Sequence, residues 1–173
     1  MRTNIRMSQF LEAVQPRARD EDVPDAFRSI VRAGWTTDGD AQLLAALRSG
    51  YSGGGRTEFD DAIHYEATVN GRGMMDYDLP TSGPERLEEL LRRSLGYVCT
   101  GLLAVPPTLP WPMLGYVSLA AGGLEDDVLT AHVTFCSRRP DQLPYVGDVD
   151  AYTHEALLEV SQEEAVTLLG NGR

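Results

Sequence analysis

His132 and Cys136 stand four residues apart in Leu129 to Cys136, a stretch in which apolar and polar residues alternate. On an extended strand their side chains leave the same face. An imidazole and a thiolate are both ligands of a borderline metal such as zinc, and His154 or Cys99 could complete such a set. A structural zinc site is announced by two closely spaced ligand pairs, and the second pair is missing, so no metal is predicted. The same thiol, with His132 or His154 and with Asp148 or Asp150, supplies the residue types of thiol catalysis, which needs a general base within hydrogen-bond reach of the sulfur. No nucleophile motif surrounds either cysteine. The expectation is two reduced, buried thiols, with no catalytic residue and no cofactor.

A second constellation is acidic. From Phe59 to Leu79 the alternation places Ile63, Tyr65, Ala67 and Val69 on one side, followed by Met75, Tyr77 and Leu79 after the turn Asn70-Gly71-Arg72-Gly73, and this predicts a β-hairpin. Its other face would gather His64, Glu66 and Thr68 with Asp76 and Asp78. Like charges on neighbouring strands repel, so such a face should be wet, and a cationic partner would relieve the repulsion. Glu66, Asp76, Asp78 and His64 are therefore the predicted partner-binding residues, and the predicted partner is a protein with a basic surface.

The whole-chain charge points the same way. The 173 residues carry a formal net charge of -11, a field that repels phosphate backbones and anionic headgroups and excludes nucleic acid as the expected partner. All 15 basic residues are arginine. Without a lysine there is no ε-amine for a Schiff base, a pyridoxal phosphate anchor or a Walker-type phosphate loop. The glycine-rich stretch Tyr51 to Arg56 reads as a connector, because it leads out of a helix and into acidic residues, whereas a phosphate cradle leads from a strand into a helix N-terminus. The first twenty residues lack the apolar core of a signal peptide and no run reaches the ~18 apolar residues of a membrane span, so a cytoplasmic protein is expected.

The elements that must position these groups follow from periodicity. Leu114 to Cys136 is the most strand-like segment, read as a hairpin with Leu129, Ala131, Val133 and Phe135 facing Val117, Leu119 and Ala121, and with Gly122-Gly123 at the reversal. Helices are predicted after Ser8, from Pro24 to Gly34, and from Thr37 or Asp38 to Gly50, making residues 1–50 a helical part. Ser82 to Glu85 matches a capping box opening a helix that Gly96 should end, after which Tyr97 to Val105 reads as a strand, although periodicity does not separate it from a longer helix. Pro106 to Pro112 should be an extended connection anchored by Trp111. Ser137 to Glu155 is a long loop or lid. A strand at Ala156 to Val160 and a helix with the capping box Ser161/Glu164, closed by Gly170 to Gly172, end the sequence.

The fold class expected is α+β: a single antiparallel sheet built from two hairpins with helices packed on it, in one domain, with sheet and helices over about 58–170. The function that fits is a cytoplasmic, acidic protein-binding module, such as an immunity-type inhibitor of a basic toxin or a chaperone for a secreted client. The alternative is a small-molecule-binding protein or enzyme with its site near the central hairpin and the 137–155 loop.

Overall fold

Nine-residue alternation on either side of Gly122 builds the central pair of the structure, strands β5 (Met113–Ala121) and β6 (Leu129–Ser137), antiparallel with Val117 opposite Val133 and Ser118 opposite His132. The computed structural model describes residues 1–122 and 128–170. Gly122, at φ 129°, begins the reversal, and Gly123 lies outside the described residues. β7 (Ala156–Ser161) pairs with the other edge of β5, β1 (Arg2–Thr3) with β7, and β4 (Arg72–Gly73) with β6, giving the sheet order β1-β7-β5-β6-β4. The architecture is α+β.

One face of this sheet carries Val117, Leu119, Ala131, Val133, Phe135, Leu158 and Val160 into the main core. It packs on α5 (Pro84–Leu103), which contributes Leu90, Leu91, Tyr97, Val98 and Leu102. Burying a side chain such as Val133 or Phe135, both 0% exposed, stabilises the fold by about 1.5–3 kcal/mol each. Helix and sheet approach closely because glycines line their contact. A Cβ on Gly101 would stand 2.6 Å from the Phe135 ring, and one on Gly115 would stand 2.2 Å from Val98 Cγ2. Helices α1 (Ile5–Val14), α2 (Asp25–Arg32) and α6 (Gln162–Gly170) complete this layer, with the predicted Ser161/Glu164 capping box formed in both directions. Residues 171–173, where that last helix was expected to close, lie outside the described residues.

Several local expectations are corrected. Residues 59–79 form no hairpin: Ala62–Val69 is a helix, α4, with Asp61 as N-cap, followed by the two-residue β4. The third predicted helix is instead a small hairpin, β2 (Trp35–Asp38) with β3 (Ala41–Leu44), and only Ala45–Gly50 is helical, α3. Residues 1–50 are therefore mixed. Tyr97 to Leu103 continues α5, because Gly96 is a packing notch rather than a terminator: a Cβ there would sit 2.6 Å from the Arg19 carbonyl oxygen. The Ser82 capping box is not made, since Gly83 at φ 99° is the N-cap and the helix opens on Pro84. At α1 the capping side chain belongs to Asn4, which accepts from the Met7 N–H, and Ser8 lies inside the helix.

Among the described residues no helix is long and apolar enough to cross a membrane.

Candidate functional site

α4 carries the first of the predicted site residues, and it uses two of its side chains as a missing strand. Glu66 and Asn70, one turn apart, lie between β3 and the free edge of β6. Glu66 Oε1 accepts from the Gln42 N–H at 2.8 Å and Oε2 accepts from the Ser137 N–H at 2.6 Å. Asn70 Oδ1 accepts from the Leu44 N–H, while its Nδ2 donates to the carbonyls of Gln42 and Phe135. Arg139 neutralises the buried carboxylate at 2.9 Å, and it also reaches the Ser137 hydroxyl, the Asp40 carbonyl and the Asp40 carboxylate. Buried backbone groups must find partners, and here side chains of a helix supply them to two sheets at once.

This seam moves Glu66 from the predicted surface to the interior, where it is 0% exposed. Asp76 and Asp78 lie elsewhere, each held by an α5 arginine. Arg86 bonds Asp76 and donates to the carbonyls of Leu129 and Pro80. Arg93 grips both oxygens of Asp78, at 2.9 and 2.7 Å, and donates to the Met75 carbonyl. The Arg93 hydrogen bonds hold the Asp78 carboxyl at about 2, well below its ordinary value. These two pairs strap residues 75–80 onto α5. Asp78 and His64 are exposed while Asp76 is half-buried; the His64 ring nitrogen lies 2.8 Å from Asp61 and its ring stands edge-on to Tyr145. Glu66, Asp76, Asp78 and His64 therefore do not share one wet face.

The second face of the sheet carries a different set of groups. Tyr116 is paired with Thr134 on β6 and Glu159 on β7, and in the next row Ser118 is paired with His132 and Leu157. The 138–155 segment crosses this face and brings Tyr145, Val146, Tyr152 and Glu155 over those rows, enclosing a cleft of about 60 Å3. That is room for about two waters, far below the 300–1,000 Å3 of a drug-sized site. The Tyr116 and Tyr145 rings meet edge-on at 5.3 Å. Burial raises the Tyr116 and Tyr145 phenols, so both stay neutral donors, and desolvation lowers His132, which stays an uncharged imidazole near neutral pH.

The chemistry first considered for His132 and Cys136 is not assembled. Cys136 is buried, and burial followed by the nearby Glu66 charge raises its thiol well above the ordinary range, the opposite of nucleophile activation. Cys99 is likewise buried and pushed up to about 12. His154 is exposed, with its carbonyl taken by Arg6. Among the described residues no group of three or more His, Cys, Asp and Glu could hold a metal ion. Ser118, His132 and Glu155 are residue types of an acyl-transfer triad, yet among the described residues no hydrogen bond joins serine to histidine or histidine to glutamate. The cleft tyrosines were not singled out by sequence; only the long 137–155 loop pointed towards them.

Comparison with protein-family models, curated proteins and solved structures finds no match to this chain.

Proposed function

We propose that the chain is a binding module for a basic protein, and that the partner docks on the loop-crossed face of the sheet. The observation that carries the reading is the roof of the cleft: Tyr152, 36% exposed, and Leu143, 88% exposed, present aromatic and apolar groups to solvent, with the half-buried Tyr145 between them in sequence and the exposed His64 on the flank. Tyrosine is enriched at the energetic centres of protein interfaces because a rigid ring offers large contact area and a polar tip. The exposed carboxylates Asp141, Asp148 and Asp150 occupy the same segment, and the net charge of -11 favours a partner of opposite sign.

The test is differential. Wild-type chain and the Tyr145→Ala/Tyr152→Ala double variant are immobilised side by side and exposed to host extract at low and high salt. Expected is a basic protein retained by the wild type, released as salt rises and absent from the variant. Identical retained sets on the two chains would overturn the reading.

A further inference from the structure

The buried and half-buried carboxylates of the described residues come with basic groups. Among the described residues, Asp22 faces Arg92, Asp38 faces Arg48, Asp61 faces His64, Glu66 faces Arg139, Asp76 faces Arg86, Glu89 faces Arg92 and Arg93, Glu159 faces Arg2, and Glu164 faces the N-terminal amine. These are the buried and half-buried acids of the described chain with one exception. Glu155, half-buried in the wall of the cleft, has no ion pair among the described residues, and among them its one hydrogen bond uses its backbone carbonyl, which accepts from Asn4. It lines the cleft together with His132, Tyr145 and Tyr152. A partly desolvated carboxylate without a counter-charge is costly, and an approaching cation recovers that cost.

The surrounding groups suit an organic cation. Tyr116, Tyr145 and Tyr152 supply electron-rich rings, which attract an ammonium or guanidinium within about 6 Å of a ring centre. The neighbouring imidazole adds no competing positive charge. The cleft's 60 Å3 admits a head group and leaves its aliphatic stem outside. We infer that the Tyr116–Tyr145–Tyr152–Glu155 cleft is a receptor for one cationic side-chain head of the partner, an arginine or a lysine. The inference rests on the reading of this face as the docking surface and supplies its specificity: a protruding basic residue enters the cleft and pairs with Glu155.

The probes are N-acetyl-arginine amide and N-acetyl-lysine amide, with the uncharged N-acetyl-citrulline amide and N-acetyl-norleucine amide as controls. Binding is followed by the NMR shifts of the tyrosine ring protons in the full chain. Expected is saturable movement of the cleft tyrosine signals with one or both cations, none with the neutral probes, and affinity reduced about tenfold in Glu155→Gln and in Tyr152→Ala. A melting curve for each variant checks folding, and Glu155→Gln keeps the shape of the side chain. Equal shifts with cationic and neutral probes, or no saturation by either cation, would overturn the inference. If the cations do not saturate while the differential capture still yields a basic protein, the cation receptor falls and the docking face stands. If the cations saturate and the capture yields nothing, the receptor stands and the docking reading falls.

Discussion

Two groups of polar side chains flank the central strands, and they are satisfied to different degrees. At the α4 seam, both oxygens of Glu66 and both functional atoms of Asn70 are engaged by backbone or by Arg139. In the cleft on the loop-crossed face, Glu155 has no counter-ion, and His132 and Tyr152 make no side-chain hydrogen bond among the described residues. A saturated buried network specifies structure, because removing any member strands the others. An open one, reachable by solvent, retains bonding capacity for a ligand. The difference makes Glu66, one of the acids whose charge first suggested recognition, a member of an internal network, and the open set is the one the proposed docking reading uses.

The sharpest way to break this comparison is Glu66→Ala. It leaves the Gln42 and Ser137 amides without their acceptor and takes from the buried Arg139 guanidinium one of its two carboxylates, and should cost about 3–5 kcal/mol in urea unfolding. A loss below about 1 kcal/mol would deny the seam its structural role. Next comes acid titration of the Asp78–Arg93 strap. The folded carboxyl lies at about 2, below its unfolded value near 4, so its contribution is complete above about pH 4 and disappears as pH falls through about 2. Asp78→Asn should remove that part of the stability–pH curve, and an unchanged curve would place the acid sensitivity elsewhere. The smallest effect is expected in the cleft: Tyr152→Ala and Glu155→Gln should change stability by no more than about 0.5 kcal/mol, since neither side chain completes a hydrogen bond among the described residues. Large destabilisation by either would make the cleft a second structural network and erase the contrast.

The central hairpin was legible because Val117, Leu119, Ala131, Val133 and Phe135 follow a strict period of two on a half-buried sheet. The last strand and helix were legible through the Ser161/Glu164 box. α4 was not, since a helix buried nearly all round has no polar stripe. Ile63, Tyr65, Ala67 and Val69 are all buried, but so are Ala62 and Glu66, and eight residues are too few to separate the two periods. Asp61, whose side chain accepts from the His64 N–H, was the available start signal. Asp38-Gly39 likewise announces the β2–β3 turn, with Gly39 at φ 61°. The course of α5 past Gly96 depends on how closely Arg19 approaches, a tertiary fact that no local pattern carries. The cleft was opaque for the same reason: Tyr116, Tyr145 and Tyr152 are scattered in sequence and meet only when the 138–155 segment folds back over the strands.

The α4 seam also bears on how the protein behaves in a crowded solution. Beyond the short β4 pairing, the outer edge of β6 would offer the Phe135 carbonyl and the Ser137 amide to any other chain that could lie alongside it. An unpaired edge of that kind is a template for strand addition and aggregation, and proteins commonly blunt it with charge, proline or a covering helix. Here Asn70 and Glu66 occupy the bonding positions themselves, so an incoming strand would have to displace a carboxylate held by Arg139 before its first hydrogen bond could form. The residue that seals the gap between the two sheets thereby also guards the larger one against self-association.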